Sequence, residues 1–260
     1  MTAESKGRSY LFGTPIAWIA VYAALVGVTS LVPILPYAGG GGYWPLATPL
    51  AASAPLLLGS IGGIIGAFVG GIIGMFIAPP AYPLGIVDAI LITAFPAIFV
   101  GLAVSMKKYW KIFLVVQVLS TIAFFVSLFY YPGLPGGWPG VSVEMFFVES
   151  LWYWLIPAIV LISPIGTKYI NDMARSEDAK KRSIGLFLGA WMGMNAYYAS
   201  PAFWVYWILF EFPAALLYLM FWAIYTWYMV LFAILVTVIA VPLAQALRKS
   251  GLARPRDAIW

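Results

Sequence analysis

Between Leu56 and Ile77 the chain reads LLLGSIGGIIGAFVGGIIGMFI, a run with no charge and seven glycines, at 59, 62, 63, 66, 70, 71 and 74. In a water-soluble helix each interior glycine costs about 1 kcal/mol relative to alanine, so propensity alone argues against a helix here. Composition changes the solvent in which that argument is made: 63% of the 260 residues are hydrophobic, 9% are charged, and mean hydropathy is +0.97. A chain like that is dissolved in lipid. In hydrocarbon the backbone must satisfy its own hydrogen bonds, which keeps an apolar run helical, and glycine then serves packing. Gly62, Gly66, Gly70 and Gly74 make one flat face at four-residue spacing, and Gly59, Gly63, Ala67 and Gly71 a second beside it. The pattern predicts a helix gripped on two sides.

Cysteine and histidine are both absent. That removes disulfides, thiolate chemistry, histidine bases and the commonest zinc and haem ligands. No nucleophile–base constellation is visible either, so the chain reads as a non-enzyme without metal or cofactor. No cleavable signal peptide is expected, since the apolar run from Ile16 lacks a small-residue cleavage site before polar sequence.

Positive charge falls in four places: Lys6 and Arg8; Lys107, Lys108 and Lys111; Lys168 to Arg182; and Arg248, Lys249, Arg254 and Arg256. The positive-inside rule places all four in the cytoplasm, with both termini there and the bilayer's anionic headgroups as the natural partner; nucleic acid is not needed to explain the charge. An even number of crossings must separate neighbouring clusters. The reading is an all-α, polytopic helical membrane protein of six to eight segments in the cell membrane. Residues 1–13 form a cytoplasmic start and 14–247 a single transmembrane domain with a cytoplasmic linker at about 166–183. Residues 248–260 form a cytoplasmic tail. Helices are expected at about 14–35, 46–58 (short), 60–78, 84–106, 110–131, 144–165 and 184–198. The last starts at Glu211-Phe212-Pro213, an acid before proline at a first helical position, and runs to Leu247.

Within this frame, PLAASAPLLLGSIGGIIGAFVGGIIG (49–74) is similar to the short second and glycine-rich third helices of the substrate-binding S components of energy-coupling factor (ECF) transporters. There an apolar stub ends in a Leu-Leu-Gly-x-x-x-Gly step, here Leu57, Leu58, Gly59 and Gly63, with Ser60 and Gly62 where that family has proline and tryptophan. DAILITAFPAIFVGLAVSMKK (88–108) resembles the fourth helix, with Pro96 and Gly101 in place. AVYAALVG (20–27) carries the small-x-x-x-small pattern with which S components dock on their coupling subunit, as Ala20 with Ala24 or Ala23 with Gly27. The resemblance covers residues 14 to 128. It implies a vitamin-binding receptor without its own motor, partnered by a transmembrane coupling subunit and a pair of ATPases; this chain has no phosphate-binding Gly-x-x-x-x-Gly-Lys-Ser/Thr loop. It also gives the glycine faces a second reading, as smooth surfaces sliding on the coupling subunit.

Asp88, Glu144, Glu149 and Glu211 all map to the outer side, where no lysine or arginine maps. An unpaired acid near the bilayer is a functional-site candidate by default. Glu144 and Glu211 also suit exposed helix starts. Aromatics crowd the same side, among them Trp44, Tyr82, Trp152, Tyr198 and Trp204, and Asn195 is an amide on an apolar helix. Interfacial aromatics form belts in any membrane protein. Acids among aromatics nevertheless suit a small organic cation or nitrogen ring. The competing reading is a noncatalytic structural subunit of a larger membrane complex, which explains the glycine faces without a ligand.

Overall fold

The computed structural model describes residues 9–38, 40–104, 165–198, 205–210 and 224–260, with isolated positions between them. A short strand pair, β1 (Tyr10–Leu11) and β2 (Thr14–Pro15), leads into helix α1 (Ile16–Thr29). α1 stops earlier than the expected position 35. The residues after it close in tight turns, Ser30 N–H to Gly27 O, Leu31 N–H to Val28 O and Val32 N–H to Thr29 O, and Pro33 then has no N–H with which to continue a helix. The chain instead forms the hairpin β3 (Pro33–Pro36) and β4 (Tyr43–Pro45). Three helices follow closely: α2 (Ala47–Leu58), α3 (Ser60–Ile77) and, after a 3-10 turn at Pro79–Ala81, α4 (Ile86–Val104), which contains a π turn at Ile90–Ala94. Further on come α5 (Ile170–Ala174), α6 (Ala179–Tyr197) and α7 (Tyr225–Lys249). α3, α4 and the Trp227–Lys249 stretch of α7 are long and apolar enough to cross a membrane.

α3 is held on two faces, as its glycine spacing predicts. A Cβ on Gly62 would lie 2.8 Å from Thr14 Cβ, one on Gly70 2.7 Å from the Ala23 carbonyl, and one on Gly74 would strike Ser30, so this face lies along α1 and its ends. The second face meets α2 and α4. Gly63 abuts the α2 backbone at Ala54 and Pro55, and Gly71 abuts Ala89 O and Thr93. Both glycine faces are therefore spent on internal packing. Gly59, between α2 and α3, has φ +82°, a conformation that L side chains rarely adopt, and the backbone of Arg256 lies against it.

The helices alternate direction, which sorts their ends into two groups. At one end the start of α1, the turn between α2 and α3, the end of α4, the start of α6 and the end of α7 converge. Here α2 leaves its last carbonyls without helical partners, and distant residues supply them. Thr14 Oγ1 donates to Leu58 O (2.7 Å), Trp260 Nε1 to Leu57 O (2.7 Å) and Ile259 N to Leu56 O (2.9 Å). Residues 248–260, expected as a tail, are thus folded into the body: Pro255, Ala258, Ile259 and Trp260 are buried, and the Trp260 ring lies 6.3 Å from that of Trp18.

Arginines lace this end together through backbone carbonyls. Arg248 donates to Arg175 O (2.7 Å) and Ile259 O (3.0 Å), and Arg254 donates to Trp260 O (2.8 Å). Asn171 Nδ2 donates to Val104 O. Burial pulls the Arg175 pKa below its usual value, and Arg254 nearby acts the same way against Asp257 and Asp172. The linker at 166–183 holds α5 and the start of α6. Asp178 caps α6 by accepting from Lys180 N (2.8 Å), and buried Arg182 reaches back to Ser176 O (2.7 Å). That cap is why α6 begins five residues before the expected position 184. The described part of the last helix begins at Tyr225; its expected start at 211–213 lies outside the described residues.

Candidate ligand site at the aromatic end

The opposite end of the bundle gathers the end of α1, the β3–β4 hairpin, the start of α2, the Pro79–Ala81 turn, the start of α4, the end of α6 and the start of α7. Its centre is Trp44 on β4, only 1% exposed. Around it stand Tyr37 (ring centroids 5.6 Å apart), Tyr198 (5.9 Å) and Phe232 (5.3 Å), and Tyr197 meets Tyr198 edge-on at 5.7 Å. The hairpin is what delivers Trp44. Because α1 ends at Thr29, β3 and β4 fold Trp44 back over the mouth between α2, α6 and α7.

Hydroxyl groups tie this rim together. Tyr37 Oη donates to Ala81 O (2.7 Å), Tyr43 Oη to Ser30 O (3.1 Å), and the Ser30 and Tyr82 hydroxyls share a bond of 2.7 Å. Burial pushes the Tyr82 phenol up to about 12, partly offset by the Ser30 bond and reinforced by the charge of Asp88. Tyr82 is thus a neutral hydroxyl at physiological pH, hydrogen-bonded into the rim.

Asp88 is buried, at 2% exposure. It sits in the first turn of α4 and accepts the Leu84 N–H at 2.6 Å on Oδ2, while Tyr206 Oη donates to Oδ1 at 3.4 Å. The first contact caps a helix start, a stabilising place for a carboxylate. The second brings in the π turn Val205–Leu209, more than a hundred residues away. No lysine or arginine occurs in sequence between Arg8 and Lys107, or between Arg182 and Arg248, so no cation comes from the hairpin, the start of α4 or the end of α6.

Two polar side chains have no such partners. Among the described residues, Asn195, near the end of α6 and 1% exposed, finds no hydrogen-bond partner for its amide oxygen or its amide nitrogen, and Thr48 Oγ1, fully buried in the first turn of α2, finds none either. Each lies one turn or so deeper than the aromatic contact: Asn195 is one turn before Tyr198, and Thr48 follows Trp44 into α2. Burying an amide without partners costs about 1–3 kcal/mol, so an apolar core gains nothing from Asn195.

Of the residues singled out from sequence, the structure joins Trp44 to Tyr198 directly. Asp88 and Tyr82 share the rim, and Asn195 lies beneath it. Glu144, Glu149, Glu211, Trp152 and Trp204 lie outside the described residues. Of the small residues of α1, Ala23 and Gly27 are buried against α3, whereas Ala20 and Ala24 are exposed. Tyr206, one of the aromatics expected on the outer side, reaches Asp88, and Thr48 and Phe232 join the site through the fold. A hydroxyl in the first turn of a mostly apolar helix was the sequence signal for Thr48, and Phe232 carried none. No protein-family model, curated protein or solved structure matches the chain.

Proposed function

We propose that this chain is a multi-pass membrane receptor of the ECF S-component kind. It captures a small vitamin-like molecule at its aromatic end and hands it on with a coupling subunit and an ATPase pair. The observation that carries the reading is Asn195: a buried amide with a free donor and a free acceptor beneath a cage of Trp44, Tyr37 and Tyr198. Such an edge complements a nitrogen ring presenting an acceptor beside a donor, and the aromatic rings offer faces for stacking. Asp88, unneutralised by any neighbouring cation in sequence, favours a ligand that is neutral or positive. The positive-inside rule puts the arginine end in the cytoplasm and the aromatic end outside, the side from which an importer loads. On α1, Ala20 and Ala24 are the small pair available to a coupling subunit.

The test is a screen of vitamin-like compounds on the purified full chain in detergent, read by tryptophan fluorescence. A nitrogen-ring ligand should bind, and Asn195→Leu should weaken it about 5- to 150-fold, corresponding to about 1–3 kcal/mol for a lost hydrogen-bonding group, without loss of folded protein. Asp88→Asn separates the carboxylate's two roles: a helix start alone loses stability, a ligand contact loses affinity. Tight binding of an anion, insensitive to both substitutions, would overturn the site chemistry. No binding by any compound would favour the structural-subunit reading, which the internal use of both glycine faces already accommodates.

A further inference from the structure

The largest cationic excess among the described residues borders an apolar groove far from the aromatic end. The groove, of about 400 Å³, lies between α1, which contributes Trp18, Val21 and Leu25, and the end of α7, which contributes Leu243, Ala246 and Ser250. From Leu243 to Ser250 it follows two turns of helix, about 10 Å. Two of its lining residues, Trp18 and Leu57, are in contact with Trp260, which packs on the first and donates to the carbonyl of the second.

The cations at that end divide by what they do. Arg248 is consumed by the carbonyls of Arg175, Ser176 and Ile259. Lys249 and Arg256 are exposed and neither forms an ion pair among the described residues. Both sit next to groove-lining residues: Lys249 immediately precedes the wall residue Ser250, and the Arg256 backbone lies against Gly59, which follows the lining residues Leu57 and Leu58, with its Cβ beside Gly13 ahead of α1. Exposed Arg254, held to the Trp260 carbonyl, stands between them in sequence. Asp257, the acid of this segment, accepts from Ser60 Oγ (3.4 Å) and leaves the end positive against Arg248, Lys249, Arg254 and Arg256. An apolar trough with net positive charge at only one end has the polarity of a phospholipid, acyl chain along the trough and anionic headgroup at its mouth.

We infer that the groove between α1 and α7 is a binding site for an anionic phospholipid of the leaflet facing the arginine end, its headgroup held by Lys249 and Arg256. The acyl chain contributes shape but little selectivity, because in a bilayer it only exchanges one apolar neighbour for another. Preference must come from the headgroup, at about fivefold in affinity per cation. An apolar helix in the same trough would leave both charges without a counter-ion.

Trp18 makes the site visible. The purified full chain in detergent is titrated with phosphatidylglycerol or phosphatidylcholine carrying brominated acyl chains, which quench tryptophan on contact. Phosphatidylglycerol should give a saturable quenching component that Trp18→Phe diminishes, and phosphatidylcholine should need at least about fivefold more lipid. Lys249→Gln with Arg256→Gln should bring the two lipids together, and Ala246→Phe, a substitution at an exposed wall position, should remove the component for both. Glycerol phosphate should not displace the bound lipid. Equal quenching by both lipids in the unaltered chain would make this an ordinary lipid-facing surface. Displacement by glycerol phosphate alone would reduce it to a charged patch, and loss of lipid on reconstitution with a coupling subunit would make it a protein interface; each overturns the inference.

Discussion

Gly63→Ala and Gly66→Ala remove glycines three residues apart on one helix, and the structure assigns them opposite outcomes. A Cβ on Gly63 would lie 2.5 Å from the Ala54 carbonyl carbon and closer still to the nitrogen and Cα of Pro55. These are backbone atoms, which cannot rotate away, and α2 cannot back off readily because eleven of its twelve residues are buried. Relief requires α2 and α3 to part by about 1 Å, forfeiting dispersion contact along the interface. Overpacking costs about 1–3 kcal/mol where side chains can give way, and rigid backbone puts this case at the upper end, about 3 kcal/mol. Alanine's helix preference returns at most about 1 kcal/mol, leaving a net loss of about 2 kcal/mol. A Cβ on Gly66 instead meets Ile19 O at 3.5 Å and the Ile19 and Leu58 side chains at 3.7 Å, ordinary contact. That variant should be neutral or more stable by up to about 1 kcal/mol. The comparison is made by unfolding the purified full chain in a graded series of denaturing detergent, followed by tryptophan fluorescence. Equal destabilisation, or a larger loss for Gly66→Ala, would refute the assignment of the second glycine face to the α2 backbone.

Trp260→Phe keeps the ring against Trp18 but removes the donor to Leu57 O; stranding that buried carbonyl should cost about 1–3 kcal/mol in the same unfolding experiment, and no change would mean that residues 254–260 do not hold the α2–α3 turn. Because the chain has no cysteine, Val32→Cys and Ala253→Cys, both at exposed positions, can be probed singly in intact cells with an impermeant maleimide. Val32→Cys should label and Ala253→Cys should not; the reverse pattern would invert the orientation.

What was legible in the sequence was whatever repeats along one helix or stops one locally. The four-residue spacing of the α3 glycines names both faces, and Gly59 marks the turn that separates α2 from α3 at the expected position. Proline should have marked the end of α1 as well, but an apolar window running through Val32 to Leu35 hides it, since hydropathy does not register a missing N–H. Other features depend on contacts between distant parts of the chain. Trp260 reaches Leu57 across 203 residues and Tyr206 reaches Asp88 across 118, and neither pairing leaves a periodic trace. The acid at Asp88 is legible as unusual, but its local role follows from Gly85, whose positive φ starts α4 and places Asp88 in the first turn.

The distribution of satisfied and unsatisfied polar groups separates the two ends of the bundle. At the arginine end the last three carbonyls of α2, those of Leu56, Leu57 and Leu58, each have a partner from elsewhere in the chain. Arg182 leaves one nitrogen unpartnered but uses its others on Ser176 and Glu177 carbonyls, so its charge is still held. Asn195 has no such compensation, since both its amide atoms are buried and unbonded, and Thr48 adds a third unbonded atom in the first turn of α2. A sequence that satisfies distant carbonyls so thoroughly at one end has no difficulty replacing an amide by leucine at the other. Keeping an asparagine there, where α6 from Gly185 to Ala196 otherwise buries glycine, alanine, methionine and leucine, costs stability that an apolar residue would not. On the function proposed above, the return for that cost is a hydrogen-bonding edge kept open for the ligand.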